Sequence, residues 1–309
     1  MTNTPFLFNY IITIHNKEKL IKDVISSVID VAGPESYIYP VLDGCNDNTE
    51  TIIDELMTAN PLAKIKKLYA NDVHELKSIN IGLENSNQDL NGFNIILQDD
   101  VLLQDRDLEA KCVALYNSIE DLGIVSFRHG GNLSRKLIRK VSIIDPLVDY
   151  IENECGHNPY SPSVLKTGFF VFREIAIKSP ICIPTKVVRR VGKPDESFAP
   201  WDDIAYCMKV SESGFRNGVF AIDFRSDVAW GTTREVKQVM KIETVIRKNL
   251  ELFRQRNLII NKFDRKKYEH NKRKIFDSNK IYTFHFIVTL RKLYSSMAYS
   301  IKQKIKLYS

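Results

Sequence analysis

Residues 94–103 read Asn94-Ile95-Ile96-Leu97-Gln98-Asp99-Asp100-Val101-Leu102-Leu103. A short apolar run of this kind suits a strand covered on both faces, yet it closes on two adjacent aspartates. Adjacent carboxylates repel, and the end of a buried strand is a costly place for them unless a counter-charge or ligand meets them there.

The flanking sequence says what kind of sheet holds this strand. Phe8–Ile14 is β-branched and aromatic, a second doubly covered strand. A helix is expected from Lys17 to Ile29, with Asn16 as its N-cap and Leu20, Ile21, Val24, Ile25 and Val28 at helical spacing. Tyr37–Leu42 reads as another strand, and Asp47 with Glu50 as a capping box opening a helix through Met57. A short strand near Ile65–Tyr69 and a helix around His74–Asn85 complete the approach to Asn94.

Strand and helix in alternation predict an α/β domain with a mostly parallel, Rossmann-like sheet and right-handed crossovers. Such sheets bind ligands beyond the carboxyl ends of their strands. Three polar turns fall there: Thr13-Ile14-His15-Asn16, Asp43-Gly44-Cys45-Asn46-Asp47 and Gln98-Asp99-Asp100. One acidic turn is explained by a cap; three on one edge form a site.

Further on, Phe127 to Val164 reads as a long loop region, and strand character returns at Gly168–Phe172. Pro200-Trp201-Asp202-Asp203 then leads into an amphipathic helix closed near Gly214. Acids in a first helical turn are favoured by the macrodipole, so Asp202 as an N-cap and Asp203 as a general base are both open readings. Trp201 suits either a stacking platform for a ring-shaped ligand or packing beneath the helix.

Composition limits the function classes. The 309 residues carry 44% hydrophobic and 27% charged side chains, ordinary for a globular protein. Five scattered cysteines without a C-x-x-C pair argue for a reducing compartment, and against a disulfide framework or zinc knuckle. The first ten residues lack the basic start and apolar core of a signal peptide. The longest uncharged C-terminal run, Ile281 to Leu290, is ten residues, against about 20 for a spanning helix. A cytoplasmic protein is expected.

The net charge of +6 conceals a division: residues 234–309 hold 20 Lys and Arg against 6 Asp and Glu, so the first 233 positions are net negative. We therefore expect two parts with separate jobs, an acidic body over residues 1–235 and a basic helical extension over 236–309. Ile287, Leu290, Tyr294, Met297, Ile301 and Ile305 keep helical spacing, with Lys292, Lys302, Lys304 and Lys306 elsewhere on the helix. A basic amphipathic helix with tyrosines suits the face of an anionic membrane. Packing on the catalytic domain and a homo-oligomer contact are the other readings. No recognition module accompanies the charge, so nucleic acid is set aside as a partner.

Taken in order, these motifs resemble family 2 glycosyltransferases of the GT-A fold over roughly residues 8 to 235. The family's P-T-Y-N-like turn is matched by Ile12-Thr13-Ile14-His15-Asn16, and its D-D-G-S-x-D-x-T turn by Leu42-Asp43-Gly44-Cys45-Asn46-Asp47-Asn48-Thr49. The N-x-G-I helix is matched by Asn80-Ile81-Gly82-Leu83, and the metal-binding acids by Gln98-Asp99-Asp100. The G-G-F-D-E-x-F and E-D-x-D-L-C-L-R segments are matched by residues 191–198 and 202–209.

The resemblance implies inverting transfer of a sugar from a nucleotide-sugar donor to a glycan or lipid-linked acceptor, in cell-surface polysaccharide synthesis at the cytoplasmic membrane face. UDP is the expected nucleotide on family frequency alone. Thr13, His15 and Asp43 would contact base and ribose, Asp99 the ribose or donor sugar, and Asp100 a Mn²⁺ or Mg²⁺ holding the diphosphate. Asp203 would be the catalytic base, supported by Asp202.

The chain departs from the family in three places. Leu42 replaces the first acid of the second turn. Ile79 stands where a basic residue is common, with Lys77 near enough to substitute. Trp230 stands where many members place a metal-binding histidine, leaving Arg234 to meet the diphosphate. These departures keep open a degenerate nucleotide-sugar-binding or scaffold protein. A sugar-phosphate nucleotidyltransferase is the other alternative, although His15-Asn16-Lys17-Glu18 lacks its glycine-rich phosphate loop.

Overall fold

The computed structural model describes residues 6–131, 149–151, 163–165, 167–168, 170–198 and 202–226. Trp201, Trp230, Arg234, Cys155 and the whole basic extension lie outside them.

Strands β1 (Phe8–Ile14), β2 (Tyr37–Asp43) and β5 (Phe93–Gln98) form the parallel heart of the sheet. Two short strands, β3 (Lys64–Ile65) and β4 (Leu68–Ala70), both pair in parallel with β2. On the other side of β5 lie β13 (Ile181–Pro184), β7 (Leu122–Ser126), β14 (Arg216–Phe220) and β11 (Phe170–Phe172). Here β13 runs antiparallel to both β5 and β7, β14 is parallel to β7, and β11 is antiparallel to β14. The sheet is mixed, with a parallel majority.

Both faces are covered, which is why β1 is buried throughout and apolar at all but Asn9 and Thr13. Phe8, Tyr10, Ile12 and Ile14 pack into one cluster with α1 (Ile21–Val31) and α4 (Leu108–Ser118). Ile11 faces the opposite way, into a second cluster with α3 (Glu75–Asn85), α5 (Thr185–Val191) and α6 (Asp202–Glu212). Helix α3 lies close on β1 because residue 82 is glycine: a Cβ there would stand 2.3 Å from Ile11 Cγ2.

Two expected helix starts are corrected. Helix α1 begins at Ile21 rather than Lys17, and Asn16 is no cap. Asn16 adopts a φ of 50° and turns its side chain to the neighbouring turn instead. The Asp47–Glu50 capping box does not form. Helix α2 (Thr49–Ala59) starts behind Asn48, and Glu50 pairs with Lys67 and Tyr69, each at 2.7 Å.

The long loop expected from Phe127 to Val164 contains strands as well. Short strands β8 (His129–Gly131), β9 (Asp149–Ile151) and β10 (Ser163–Leu165) join β12 (Ile175–Ile177) in a separate four-stranded sheet. A two-stranded ribbon pairs β6 (Leu102–Leu103) with β15 (Phe224–Arg225). No helix among the described residues is long and apolar enough to cross a membrane.

Candidate active site

The register sets Thr13 beside Val41 on one side and Gln98 on the other, so β1, β2 and β5 end level with one another. The three turns that follow are bound together. The His15 backbone N–H donates to Asp99 Oδ2 at 2.8 Å. Its ring Nδ1 lies 2.6 Å from the Asp43 carbonyl; a carbonyl only accepts, so that nitrogen carries the proton. Asn16 Oδ1 accepts from the Asn46 N–H at 2.8 Å, Thr49 Oγ1 from the Lys17 N–H at 2.8 Å, and Asp47 Oδ2 from the Glu18 N–H at 3.0 Å. Gly44 allows this closeness: its φ is +64°, and a Cβ there would meet Asp72 Cβ at 2.8 Å.

At the edge of this floor the opening pair of acids divides. Asp99 faces Lys17 Nζ at 3.4 Å, with the lysine side chain 6% and the acid 15% exposed. Burial pushes the Asp99 carboxyl up to about 6, opposed by the Lys17 charge and the His15 amide. Asp100 is also raised by burial, with the Arg128 and Lys17 charges pulling the other way. Its Oδ1 is buried and has no hydrogen-bond partner among the described residues.

That orphaned oxygen is the test of whether a metal fits. Hard oxygen ligands suit Mg²⁺ and Mn²⁺, and Mg²⁺ commonly takes one or two carboxylates, with substrate phosphates and water completing the shell. A buried, unpartnered carboxylate oxygen at a strand end matches that demand. Among the described residues there is no group of three or more His, Cys, Asp or Glu side chains that could hold an ion. Asp100 is the carboxylate here whose buried oxygen is left open to an ion.

The second pair opens α6, and it divides in the same way. Asp202 is 4% exposed and accepts a hydrogen bond from Lys178 Nζ. It is the first residue of the helix and an ion-pair partner, rather than an N-cap. Asp203, half-buried, lines a cavity walled mainly by Leu76, Ile79, Ile96, Ile183 and Cys207. Burial in these apolar surroundings pushes its carboxyl up to about 7, with Asp202 and Glu75 adding repulsion and Lys178 opposing.

Glu75 joins the two halves. It sits in the first turn of α3, accepts from Gln98 Nε2 at 2.8 Å, and lies 3.8 Å from Lys178 Nζ. Its own carboxyl is raised by burial and feels the charges of both Asp202 and Asp100.

The structure thus brings together His15, Asp43, Asp99 and Asp100 on one side and Asp202 and Asp203 on the other. Thr13 is buried one residue inside β1, its hydroxyl turned to the Leu97 carbonyl at 3.4 Å. Asp43 is also buried, and one carboxylate oxygen accepts from the Val73 N–H at 2.7 Å. Lys77 is exposed on α3 and makes no hydrogen bond or ion pair among the described residues. Trp201 and Arg234 fall outside the described residues.

Sequence reasoning missed Lys17, Glu75 and Lys178. Lys17 carried a signal, being the first cation after the turn whose acid partner lies on the next strand. For Glu75 and Lys178 there was none, because their partners are 23 and 24 residues away in the chain, at Gln98 and Asp202.

The fold has counterparts among solved structures, all at low identity. A mannosyltransferase from Pyrobaculum calidifontis, solved in complex with GDP-Man and Mn²⁺, superposes with a TM-score of 0.50 at 14% identity, covering 75% of this chain and 59% of that one. Residues 1–349 of S. aureus TarS, in complex with UDP, give 0.51 at 15% identity over 78% and 64% of the two chains. GalNAc-T7 with UDP, GalNAc and Mn²⁺ gives 0.52 at 12% identity over 73% and 44%. This chain therefore spans less than two thirds of the length of each of these three structures. No curated protein matches it by sequence. The sequence profile described as "Glycosyl transferase family 2" matches residues 10–191, more than half of the chain. With the α/β sheet and the ordered motifs at its strand ends, the chain belongs to glycosyl transferase family 2.

Proposed function

We propose that this protein transfers a sugar, with inversion, from a nucleotide-sugar donor to a hydroxyl of a glycan or lipid-linked acceptor. A UDP-sugar is the expected donor. The observation that supports this most is the placement of Glu75 between the two acid pairs, in contact with the strand end that carries Asp100 and with the lysine that holds Asp202. One pair faces a donor floor and the other a separate cavity, as transfer between two substrates requires.

In this reading Asp203 takes the proton from the acceptor hydroxyl. The freed oxygen bonds to the anomeric carbon as the bond from that carbon to the diphosphate oxygen breaks. A carboxyl raised to about 7 is well matched to such work near neutral pH. Asp100 would hold a divalent ion, which when bound offsets the charge on the departing diphosphate. His15 and Asp43 line the floor for base and ribose, and Asp99, held by Lys17 and His15, faces ribose or sugar. Residues 1–235 form the catalytic unit, with Trp201 as an acceptor platform and Arg234 as a diphosphate contact.

The test is a thermal-shift screen of the full chain against a panel of nucleotide sugars with and without Mn²⁺, followed by assay of nucleoside diphosphate release. At least one donor should raise the melting temperature and be turned over. Asp203→Asn should lose release while keeping the shift; full activity in that variant would remove Asp203 from the base role.

For the basic extension we propose contact with an anionic membrane surface at the site of polysaccharide synthesis. Deleting residues after Asn279 should reduce sedimentation with anionic liposomes, and unchanged sedimentation would leave only the packing and oligomer readings.

A further inference from the structure

Lys178 stands where the two halves of the site meet, and no motif accounts for it. It occupies the connection between β12 and β13. Its side chain is 14% exposed, with its ammonium bonded to Asp202 and 3.8 Å from Glu75 Oε2. Its charge also reaches Asp203, where it opposes the upward push of burial on that carboxyl. One residue therefore acts on both acids of the α6 pair, bonding the first and favouring the charged form of the second.

The next residue extends the connection. Ser179 Oγ accepts the Gln98 backbone N–H at 2.8 Å, while the Gln98 side chain donates to Glu75 at 2.8 Å. Gln98 immediately precedes Asp99 and Asp100. A continuous path of contacts thus runs from α6 through Lys178 to Glu75, Ser179 and Gln98, ending at the donor strand.

We propose that Lys178 is a positioning residue: it fixes the Asp202–Asp203 pair on the acceptor side, and with Glu75 and Ser179 it sets that pair relative to the strand end bearing Asp99 and Asp100. The proposal deepens the transferase reading, on which the role of Asp203 rests. A buried ammonium among three carboxylates is held in place by them, and removing it would leave those carboxylates without their shared counter-charge.

The groups that face Asp203 can be named. Lys178 comes from the β12–β13 connection, Glu75 from α3, and Asp202, Tyr206 and Cys207 from α6 itself. The strands beneath present apolar side chains: Ile96 of β5, Ile124 of β7, Ala176 of β12, and Ile183 of β13. The short 3-10 helix at Glu196–Phe198 turns Glu196 to Asn80 instead. Lys178 is the one cation in this set, so its loss has a defined sign.

The experiment is a ¹³C-carboxyl NMR titration of the full chain, with Asp203→Asn used to assign the resonance. It compares the unaltered protein with Lys178→Met and Lys178→Arg. In Lys178→Met the Asp203 midpoint should rise by about 1 pH unit or more, and in Lys178→Arg it should return most of the way. The acid limb of the pH profile for nucleoside diphosphate release should move by the same amount, with donor affinity unchanged. A merely structural lysine would lower the rate at every pH and leave the limb in place.

An unmoved Asp203 midpoint in folded Lys178→Met overturns the proposal. Should that variant not fold, Lys178→Gln, which keeps polarity without charge, carries the same expectation and the same refutation. Absence of turnover with every nucleotide sugar would count against the transferase reading, while the titration would still decide the role of Lys178.

Discussion

The molecule holds two pairs of adjacent aspartates, and they solve the same electrostatic problem with different results. Asp99–Asp100 ends a parallel strand, whereas Asp202–Asp203 opens a helix. In each, a lysine from a neighbouring connection takes one acid: Lys17 meets Asp99, and Lys178 meets Asp202. The second acid of each pair is left to other work. Asp100 keeps a buried oxygen without a hydrogen-bond partner among the described residues, which suits a cation. Asp203 faces an apolar cavity, and burial raises its carboxyl toward neutrality, which suits a proton. Two like-charged neighbours become distinct tools when a single cation separates their roles.

The comparison can be broken most sharply at Asp203. Asp203→Asn should cut turnover by about 10²–10⁴-fold, the range of general-base catalysis, whereas Asp202→Asn should keep measurable turnover because it removes a lysine partner and no proton acceptor. Steady-state release of nucleoside diphosphate distinguishes them, and equal losses would mean the pair is not divided.

The same residue predicts a pH effect on stability. Its folded value of about 7 lies above the ordinary 3.8, so between those values the native state binds more protons than the unfolded chain. Stability from this group is therefore present at low pH and lost as pH rises towards 7. Asp203→Asn lacks that loss. It should exceed the unaltered protein by a few kcal/mol at most at pH 8, with the gap closing near pH 4, as measured by urea unfolding at both values.

At the other pair, Asp100→Asn should remove the Mn²⁺-dependent part of donor-induced stabilisation. Donor at a hundredfold excess over its Kd stabilises by about 2.7 kcal/mol in all, and the Mn²⁺-dependent share of that is what the variant should lose. Thermal shift with and without Mn²⁺ measures it, and a retained metal effect would separate Asp100 from the ion. Smallest is the scaffold effect. Gly82→Ala would push a methyl group into Ile11 and should cost about 1–3 kcal/mol in a denaturant melt, without altering the pH at which Asp203 titrates.

Much of the site at the ends of β1, β2 and β5 was legible in the sequence, and the part at the start of α6 was legible only in part. Strands β1, β2 and β5 announced themselves by doubly buried apolar runs, and their polar turns by residue type. The errors there were local: Asn16 and Asp47 looked like helix caps because such residues usually are. Here they bridge neighbouring turns, since Asn16 reaches Asn46 and Asp47 reaches Glu18, while the other Asp47 oxygen accepts from the Thr49 N–H at the start of α2. At the start of α6, Asp202 and Asp203 could be located but not told apart. What separates them is a lysine 24 residues away in the chain, and no periodicity or spacing rule connects the two. The strands within 127–164 were missed for a related reason, since pieces of three residues carry too little pattern to rise above loop composition.

The antiparallel insertion of β13 has a consequence for how the protein is made. The floor formed by the three turns needs only the chain as far as Asp100, and its turns are bound to one another within that length. Yet β5 pairs on its outer side with β13, which begins at Ile181. Throughout the synthesis of the intervening eighty or so residues, the emerging sheet carries a bare apolar strand edge, the feature through which sheets join their neighbours. Closing that edge also brings in Lys178, three residues before β13. The step that protects the growing chain is thus the step that delivers the lysine between the two halves of the site.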